Sequence, residues 1–184
     1  MSDPAFFGYG SLVNLATHQY TDPRPATLRG WRRVWQRTSL RKVAYLSVQP
    51  EKAGILLGVV AQVPEADWAA LDLREAAYHR HDITDDLMHE GPKAPTAVYQ
   101  VRPEYCAAAD DQPILLSYLD VVVQGYLQLY GTAGVAHFFE TTGGWDARVL
   151  DDRADPIYPR HQRLSPMERD LVDQHLAAMM QQAE

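Results

Sequence analysis

Strand-forming segments fill the first half of this 184-residue chain, and helix-forming segments fill most of the second half. The predicted strands are short apolar or alternating runs separated by turn residues. They cover residues 5–9, 28–39, 44–48, 55–63, 78–83 and 96–101. Because strands come first and helices later, this order predicts an α+β fold rather than a doubly wound parallel sheet.

One helix is predicted between the strands at 55–63 and 78–83. Pro64 suits the first position of a helix, where the missing N–H would be unpaired in any case. Trp68, Leu71 and Glu75 follow at positions i, i+3 and i+7, so they share one face of that helix. The pattern therefore predicts that Glu75 points inward with the apolar stripe.

The second half is predicted to contain two longer helices. The first covers residues 113–130, and Gly131 and Gly134 should end it. Residues 141–159 hold two Gly and two Pro, which predicts a loop. The second helix should begin at Ser165-Pro166-Met167-Glu168, where Ser can cap the helix, Pro fits the first turn and Glu has the capping-box spacing.

No linker, repeat or low-complexity segment divides the chain, so residues 1–184 are predicted to form a single domain. Cys106 is the only cysteine, which excludes an intrachain disulfide and a Cys-based zinc cluster and suits a reducing compartment. The sequence has neither a basic signal-peptide start nor an apolar run long enough for a bilayer, so a cytoplasmic location is predicted.

The formal net charge of −7 and the sequence pI of about 5.4 argue against two classes of partner. Nucleic-acid binding depends on neutralising phosphates, and docking on an anionic membrane depends on basic patches. A basic stretch from Arg29 to Lys42, with Trp31 and Trp35 interleaved, could still stack on bases. We interpret it as one basic strand face of an acidic protein, and we expect neither nucleic acid nor membrane as a partner.

The first candidate site is the turn after the first predicted strand, at Phe6-Phe7-Gly8-Tyr9-Gly10-Ser11-Leu12. Two glycines allow close approach to the backbone, and the N–H groups of such a turn can bind a carboxylate or an oxyanion. The turn lacks the G-x-G-x-x-G fingerprint and the P-loop lysine of nucleotide sites, and also the G-x-S-x-G of serine hydrolases. An ordinary strand-turn and a nucleophilic Ser11 are the alternatives.

The second candidate is Glu75. It continues the apolar stripe and lies toward the C-terminus of the predicted helix, where the helix dipole disfavours a carboxylate. A glutamate placed against both preferences could have a raised pKa and act as a general base. The alternatives are a solvated helix glutamate and one paired with an arginine.

Three histidines form a further possible site. His79 and His81 would share one face of a strand, and His89 follows a short distance along the chain. Three histidines could bind zinc, but the charged residues around them fit a solvated edge better. We therefore predict no metal site.

Several of these segments together resemble a known family. Phe7-Gly8-Tyr9-Gly10-Ser11-Leu12 resembles the N-terminal Tyr-Gly-Ser-Leu motif of γ-glutamylcyclotransferases, closest to the ChaC-like branch. Leu28-Arg29-Gly30-Trp31-Arg32-Arg33 is similar to the Gly-aromatic-x-Arg segment of that branch. Leu71-Asp72-Leu73-Arg74-Glu75 followed by Tyr78 resembles the segment that carries the catalytic glutamate, and Tyr118 matches another site tyrosine.

The resemblance implies a compact mixed β-barrel with flanking helices that needs no cofactor and no metal. It implies a lyase-type ring closure in which Glu75 is the general acid and base. The reaction would release 5-oxoproline from glutathione, a γ-glutamyl amino acid or a γ-glutamyl amine. The implied substrate-binding residues are Tyr9, Gly10, Ser11, Leu12 and Tyr118. A non-catalytic domain that binds a small molecule on the same fold is the alternative.

Overall fold

A mixed sheet forms the centre of the molecule in a computed structural model that describes residues 3–107 and 111–182. The strands, in chain order, are β1 Ala5–Gly8, β2 Thr21–Gln36, β3 Tyr45–Gln62, β4 Tyr78–Asp82, β5 Leu87–His89, β6 Thr96–Val101, β7 Ile114–Leu115, β8 Thr142–Gly143 and β9 Val149–Leu150. The central sheet has the order β4-β6-β1-β3-β2-β5, with β8 beside β2. The short strands β7 and β9 pair in parallel outside it.

The sheet is curled. β1 is antiparallel to β3 and parallel to β6, and the long antiparallel pair of β2 and β3 contains two register shifts. Such irregularities bend strands and increase their twist. The curl brings β4 close to β2, since the rings of Trp31 and His81 lie 5.5 Å apart. Together with the helices around the sheet, this confirms the predicted α+β class and the barrel-like mixed sheet.

Segments 44–48 and 55–63, predicted as two strands, form the single strand β3. The chain continues to pair with β2 on both sides of one register shift. Gly54 lies inside this irregularity, and a Cβ atom there would lie 2.2 Å from the carbonyl oxygen of Trp31. Only glycine allows that approach, so Gly54 marks a bulge rather than the predicted turn between two strands.

The helices are α1 Ala69–Arg74, α2 Leu116–Thr141 and α3 Pro166–Gln182. α1 begins later than predicted, because Pro64–Ala66 forms a separate 3-10 turn. α2 extends past its predicted end: Gly131 interrupts it with a φ of 65°, but the helix resumes and passes through Gly134. The predicted capping box of α3 is confirmed, since Ser165 and Glu168 exchange hydrogen bonds of 3.3 and 2.6 Å. In the part of the chain that the structure describes, no helix is long and apolar enough to cross a membrane.

The face of β2 that was interpreted as a basic surface belongs to the core. Trp31, Arg33 and Trp35 are buried, and Arg33 is fully so. The Arg33 guanidinium donates to the hydroxyls of Tyr126 (2.7 Å) and Thr141 (2.6 Å). These neutral partners stabilise the buried charge, although burial lowers the pKa of Arg33. The surface interpretation was therefore wrong for Arg33, whereas Arg29, Arg41 and Lys42 are exposed, and the two buried indoles are not free to stack on bases.

α2 packs across the sheet and approaches the chain just after β1. A Cβ atom at Gly125 would lie 2.6 Å from the amide nitrogen of Asn14. The side chain of Asn14 is fully buried, and it donates to the carbonyl of Val121 and to the side-chain oxygen of Gln124, both at 2.9 Å. The turn after β1 is thereby held against α2.

Candidate active site

A cavity of about 710 Å³ opens where six parts of the chain meet. It is bounded by Ser11 after β1, by residues between 40 and 46, by residues 73–78 at and after the end of α1, by Tyr105, by the start of α2, and by residues 157–160. A recess of about 30 Å³ lies behind it and is lined by the turn that contains Gly8 to Leu12. The residues that line both spaces are Ser11, Leu46, Glu75, Tyr78 and Tyr118. Three of the six predicted site residues thus line both spaces, and the other three line the recess.

The turn after β1 depends on glycine. Gly10 precedes a 3-10 turn at Ser11–Val13, and the first amides of such a turn have no acceptor within it. A Cβ atom on Gly10 would lie 2.6 Å from the hydroxyl of Tyr118. Any larger residue would therefore displace the Tyr118 ring from the edge of the recess.

Tyr9 and Leu12 shape the turn rather than present their side chains to the cavity. The hydroxyl of Tyr9 donates to the carbonyl of Tyr99 at 2.6 Å, so its ring belongs to the core. The side chain of Leu12 is buried in a second hydrophobic cluster. The backbone of the turn is also fixed by α2, because the hydroxyl of Tyr126 in that helix donates to the carbonyl of Tyr9 at 2.9 Å.

Glu75 directly follows α1 and closes its last turn, with its amide donating to the carbonyl of Leu71 at 2.9 Å. Its side chain is 15% exposed. Burial raises the pKa of Glu75, and the positive charges of Arg74 and Arg160 oppose this shift. Glu75 can therefore exchange a proton closer to neutrality than an exposed glutamate can.

Arg74 connects Glu75 to the turn. Its Nε lies 3.2 Å from Oε1 of Glu75, and its guanidinium donates to the hydroxyl of Ser11 (3.3 Å) and to the carbonyl of Thr17 (2.9 Å). The side chain of Arg74 is 9% exposed, so water screens this ion pair only weakly. Pairing with an arginine, the alternative considered for Glu75, thus occurs together with burial. Arg74 had no role in the sequence-based prediction. The only local signal for a role at the site was its position directly before Glu75.

Phenolic hydroxyls surround Glu75. Burial raises the pKa of the Tyr118 hydroxyl far above its ordinary value, so it stays neutral and can donate a hydrogen bond. Tyr78 behaves in the same way, and its hydroxyl donates to the carbonyl of Leu46 at 3.0 Å. Of the described residues that line the two spaces, only Glu75 is acidic. The site thus offers one acidic side chain beside the neutral hydroxyl of Tyr118.

The wall formed by residues 157–160 had no predicted role. Asp152, which is buried just before it, accepts hydrogen bonds from the amide (2.7 Å) and hydroxyl (2.6 Å) of Ser117 and from the amide of Ile157 (2.9 Å). One carboxylate therefore joins the first turn of α2 to this wall. No local sequence pattern indicates the contact, because its two sides lie 35 residues apart.

Two of the three histidines considered as possible metal ligands lie together. His79 and His81 contact each other through their Nε2 atoms on β4. Within residues 3–107 and 111–182, no three His, Cys, Asp or Glu side chains are grouped as metal ligands would be. Cys106 is exposed and is not among the residues that line the cavity.

Comparison with protein families gives one match: the family described as ChaC-like protein matches residues 5–112, more than half of the chain. No curated protein matches the sequence. The matched region contains the turn after β1, Arg74 and Glu75, but not Tyr118 or the wall at 157–160.

Solved structures resemble the whole chain at low sequence identity. An uncharacterized protein from Homo sapiens gives a TM-score of 0.59 at 12% identity, with 92% of this chain and 97% of that one covered. A structure named gamma-glutamyl cyclotransferase gives 0.58 at 12% identity, with 92% and 98% covered. YkqA from Bacillus subtilis gives 0.58 at 17% identity over 78% of this chain, which spans only 57% of the length of YkqA. At these identities the likeness shows the fold.

Proposed function

Because the chain belongs to the ChaC-like family and has the γ-glutamylcyclotransferase fold, we propose that it is a γ-glutamyl cyclotransferase that releases 5-oxoproline from a γ-glutamyl compound. The position of Glu75 carries the proposal. Its carboxylate is largely buried, has a raised pKa, and lines the same recess as the turn after β1. A proton acceptor and backbone N–H groups at one small space suit this reaction.

The nucleophile is the α-amine of the substrate itself. It is mostly an ammonium near neutrality, since α-amino groups titrate at about 8, and it must lose a proton before it attacks the γ-carbonyl carbon. As the ring forms, the attacking nitrogen changes from ammonium to lactam N–H and gives up two protons. The departing nitrogen changes from amide N–H to ammonium and gains two. Glu75 can transfer these protons in turn, first as a base and then as an acid.

Ring closure joins two atoms of one molecule, so holding the folded-back conformer contributes much of the rate. The first amides of the turn, at Ser11 and Leu12, can donate to the oxygen that becomes negatively charged. Arg74 supports both the general acid–base group and the turn, because it pairs with Glu75 and donates to the hydroxyl of Ser11. The geometry therefore accounts for acid–base catalysis and for oxyanion stabilisation with this chain's own groups.

A 5-oxoproline release assay tests the proposal on glutathione, γ-glutamyl amino acids and γ-glutamyl amines. We expect the wild-type protein to release 5-oxoproline from at least one of these compounds. Arg163→Gln, at an exposed position outside the cavity, is the matched control and should behave as the wild type. Binding of these compounds in calorimetry without any release would favour the non-catalytic binding domain instead.

A further inference from the structure

The opening of the cavity carries more positive charge than the reaction at Glu75 requires. Among the described residues that line it are three arginines, Arg41, Arg74 and Arg160, and one acid, Glu75. Arg74 is paired with Glu75. Arg41 and Arg160 are exposed, and neither forms an ion pair with any described residue. In a protein of net charge −7, two free cations at one opening indicate an anionic ligand.

Apolar side chains lie around the same opening. Leu40, Leu73 and Ile157 line it and are 43%, 80% and 57% exposed; we call these three residues the apolar rim. They are half of the six large hydrophobic side chains that are exposed in the described part of the chain. Exposed apolar residues gathered at one place mark a binding surface, whereas scattered ones do not.

We propose that this opening is the subsite for the leaving amine of the substrate, where Arg41 and Arg160 bind a carboxylate and the apolar rim binds an apolar side chain. The inference rests on the proposed function, which places the reacting carbonyl beside Glu75 and directs the leaving group outward. An apolar γ-glutamyl amino acid or peptide has both features. A γ-glutamyl amine lacks the carboxylate and would leave both arginines unpaired.

The lining of the two spaces assigns Arg160 to the leaving group rather than to the glutamyl part. Arg160 lines the outer cavity but not the recess behind Glu75, where the amides of the turn serve the glutamyl part. Its segment also has a fixed position, because Asp152 accepts from the amide of Ile157 at 2.9 Å and the ring of Tyr158 packs edge-on against Tyr118, 4.9 Å away. A cation on such a segment can act as a specificity-determining residue.

Matched substrates separate the two features. γ-Glutamyl-leucine and γ-glutamyl-isopentylamide differ only in the carboxylate of the leaving group, and γ-glutamyl-leucine and γ-glutamyl-glycine differ only in the isobutyl side chain. We expect kcat/KM to be about tenfold higher for γ-glutamyl-leucine than for either analogue, mainly through KM. Equal values for γ-glutamyl-leucine and γ-glutamyl-isopentylamide would overturn the proposal.

Variants of Arg160 test the residue itself. Arg160→Gln should raise KM for γ-glutamyl-leucine about tenfold and change KM for γ-glutamyl-isopentylamide less than about twofold. Arg160→Lys should restore part of the loss, because it keeps the charge. Arg163→Gln should change neither KM, since Arg163 is exposed and lies outside the cavity. Equal losses on both substrates would mean that Arg160 binds the glutamyl part or acts only on the structure.

Binding to the Glu75→Gln variant separates this inference from the proposed function. Suppose that the wild type releases no 5-oxoproline, yet this variant binds γ-glutamyl-leucine more tightly than γ-glutamyl-isopentylamide and Arg160→Gln removes the difference. The subsite would then be supported, and the proposed cyclotransferase activity would be refuted. If the variant binds both compounds equally, or neither, the subsite is overturned whatever the activity.

Discussion

Residues 5–112 and residues 113–182 contribute different parts of the same cavity. The first region matches the ChaC-like family and contains the proposed proton carrier Glu75, its partner Arg74 and the turn at Ser11. The second region contributes Tyr118 and the wall at 157–160. We infer that the groups that carry out the reaction lie in the first region and that the second region determines how firmly the substrate is held. The proposed leaving-group subsite draws on both regions, with Leu40, Arg41 and Leu73 from the first and Ile157 and Arg160 from the second. Variants in the two regions should therefore affect kcat and KM differently.

Glu75→Gln should remove the contribution of the first region to catalysis, and we expect the largest effect on rate from this variant. Glutamine keeps the size of the side chain but cannot take the ammonium proton. Loss of a general acid–base group costs ~10²–10⁴ in rate, and we expect the upper part of that range because one residue serves in both roles. The measurement is kcat for 5-oxoproline release. Turnover near the wild-type level would refute the role of Glu75.

Two further measurements on Glu75→Gln exclude simpler causes. Its melting temperature should be unchanged or slightly higher near neutral pH, because burial raises the pKa of Glu75 and so makes the ionised form costly in the folded state. Substrate affinity in calorimetry should also remain close to the wild-type value. An equal loss of binding and turnover would mean that Glu75 holds the substrate ammonium rather than moves its proton.

The pH dependence of the wild-type enzyme gives the second prediction. The base must be ionised, so kcat/KM should fall about tenfold per unit once the pH is below the pKa of Glu75. Because burial raises that pKa, the fall should begin at a higher pH than for an exposed glutamate, which titrates at about 4.3. A pH profile of kcat/KM measures this limb. A rate that stays constant until the pH reaches about 4.3 would contradict the assignment.

The turn after β1 and Glu75 could be predicted because their signals are local. An apolar strand ends in Gly8 and Gly10, and Glu75 continues the stripe of Trp68 and Leu71, so neighbouring residues mark both as candidates. An ordinary strand-turn and a solvated or arginine-paired glutamate fit the same local patterns. The resemblance to known motifs added the link between them. That Arg74 joins the two by hydrogen bonds could be found only in three dimensions, since Ser11 lies 63 residues away.

Arg33, Asp152 and Arg160 show what local patterns cannot predict. Arg33 looked like a surface residue, but it is buried in the structure. It is buried because α2 packs over it and because it donates a hydrogen bond to the hydroxyl of Tyr126, 93 residues later. Asp152 lies in the stretch 141–159, which was correctly predicted to be mostly loop, and Arg160 directly follows it. Such a stretch has no periodicity to indicate a buried side. Their roles depend on contacts with α2 and on the cavity, which exist only after the chain has folded.

Asp152→Asn should disturb the second region alone. Its effect on kinetics should be smaller than the two effects described above. Hydrogen bonds to a charged group contribute about 1.5–3 kcal/mol, so losing the charge should lower the melting temperature by several degrees. The wall at 157–160 and Tyr118 should then be held less firmly. We expect KM to rise about tenfold while kcat changes much less. Steady-state kinetics measures both values.

Ser165→Ala is the matched control for Asp152→Asn. Ser165 also serves a helix start, at α3, but it does not line the cavity. Loss of a capping side chain costs ~1 kcal/mol, so this variant should melt lower as well, yet keep the wild-type KM. A similar rise of KM in both variants would show that Asp152 acts through overall stability, and the division between the two regions would fail.

Cys106→Ser is expected to have no effect, and it tests whether closeness to the cavity is enough to matter. Cys106 lies near the end of the first region, directly after Tyr105, which lines the cavity. Its thiol is exposed and donates a weak hydrogen bond of 3.7 Å to the carbonyl of Arg102. Partial burial raises the pKa of Cys106, so the thiolate that would be needed for nucleophilic attack is scarce near neutral pH.

The Glu75 mechanism also has no step for a thiol, so kcat and KM of Cys106→Ser should stay within about twofold of the wild type. Treatment of the wild-type enzyme with iodoacetamide should be equally harmless. If either change abolished activity in a protein that still melts normally, the reacting group would lie outside the recess. The first region would then act through a cysteine, and Glu75 would have to be a binding residue instead.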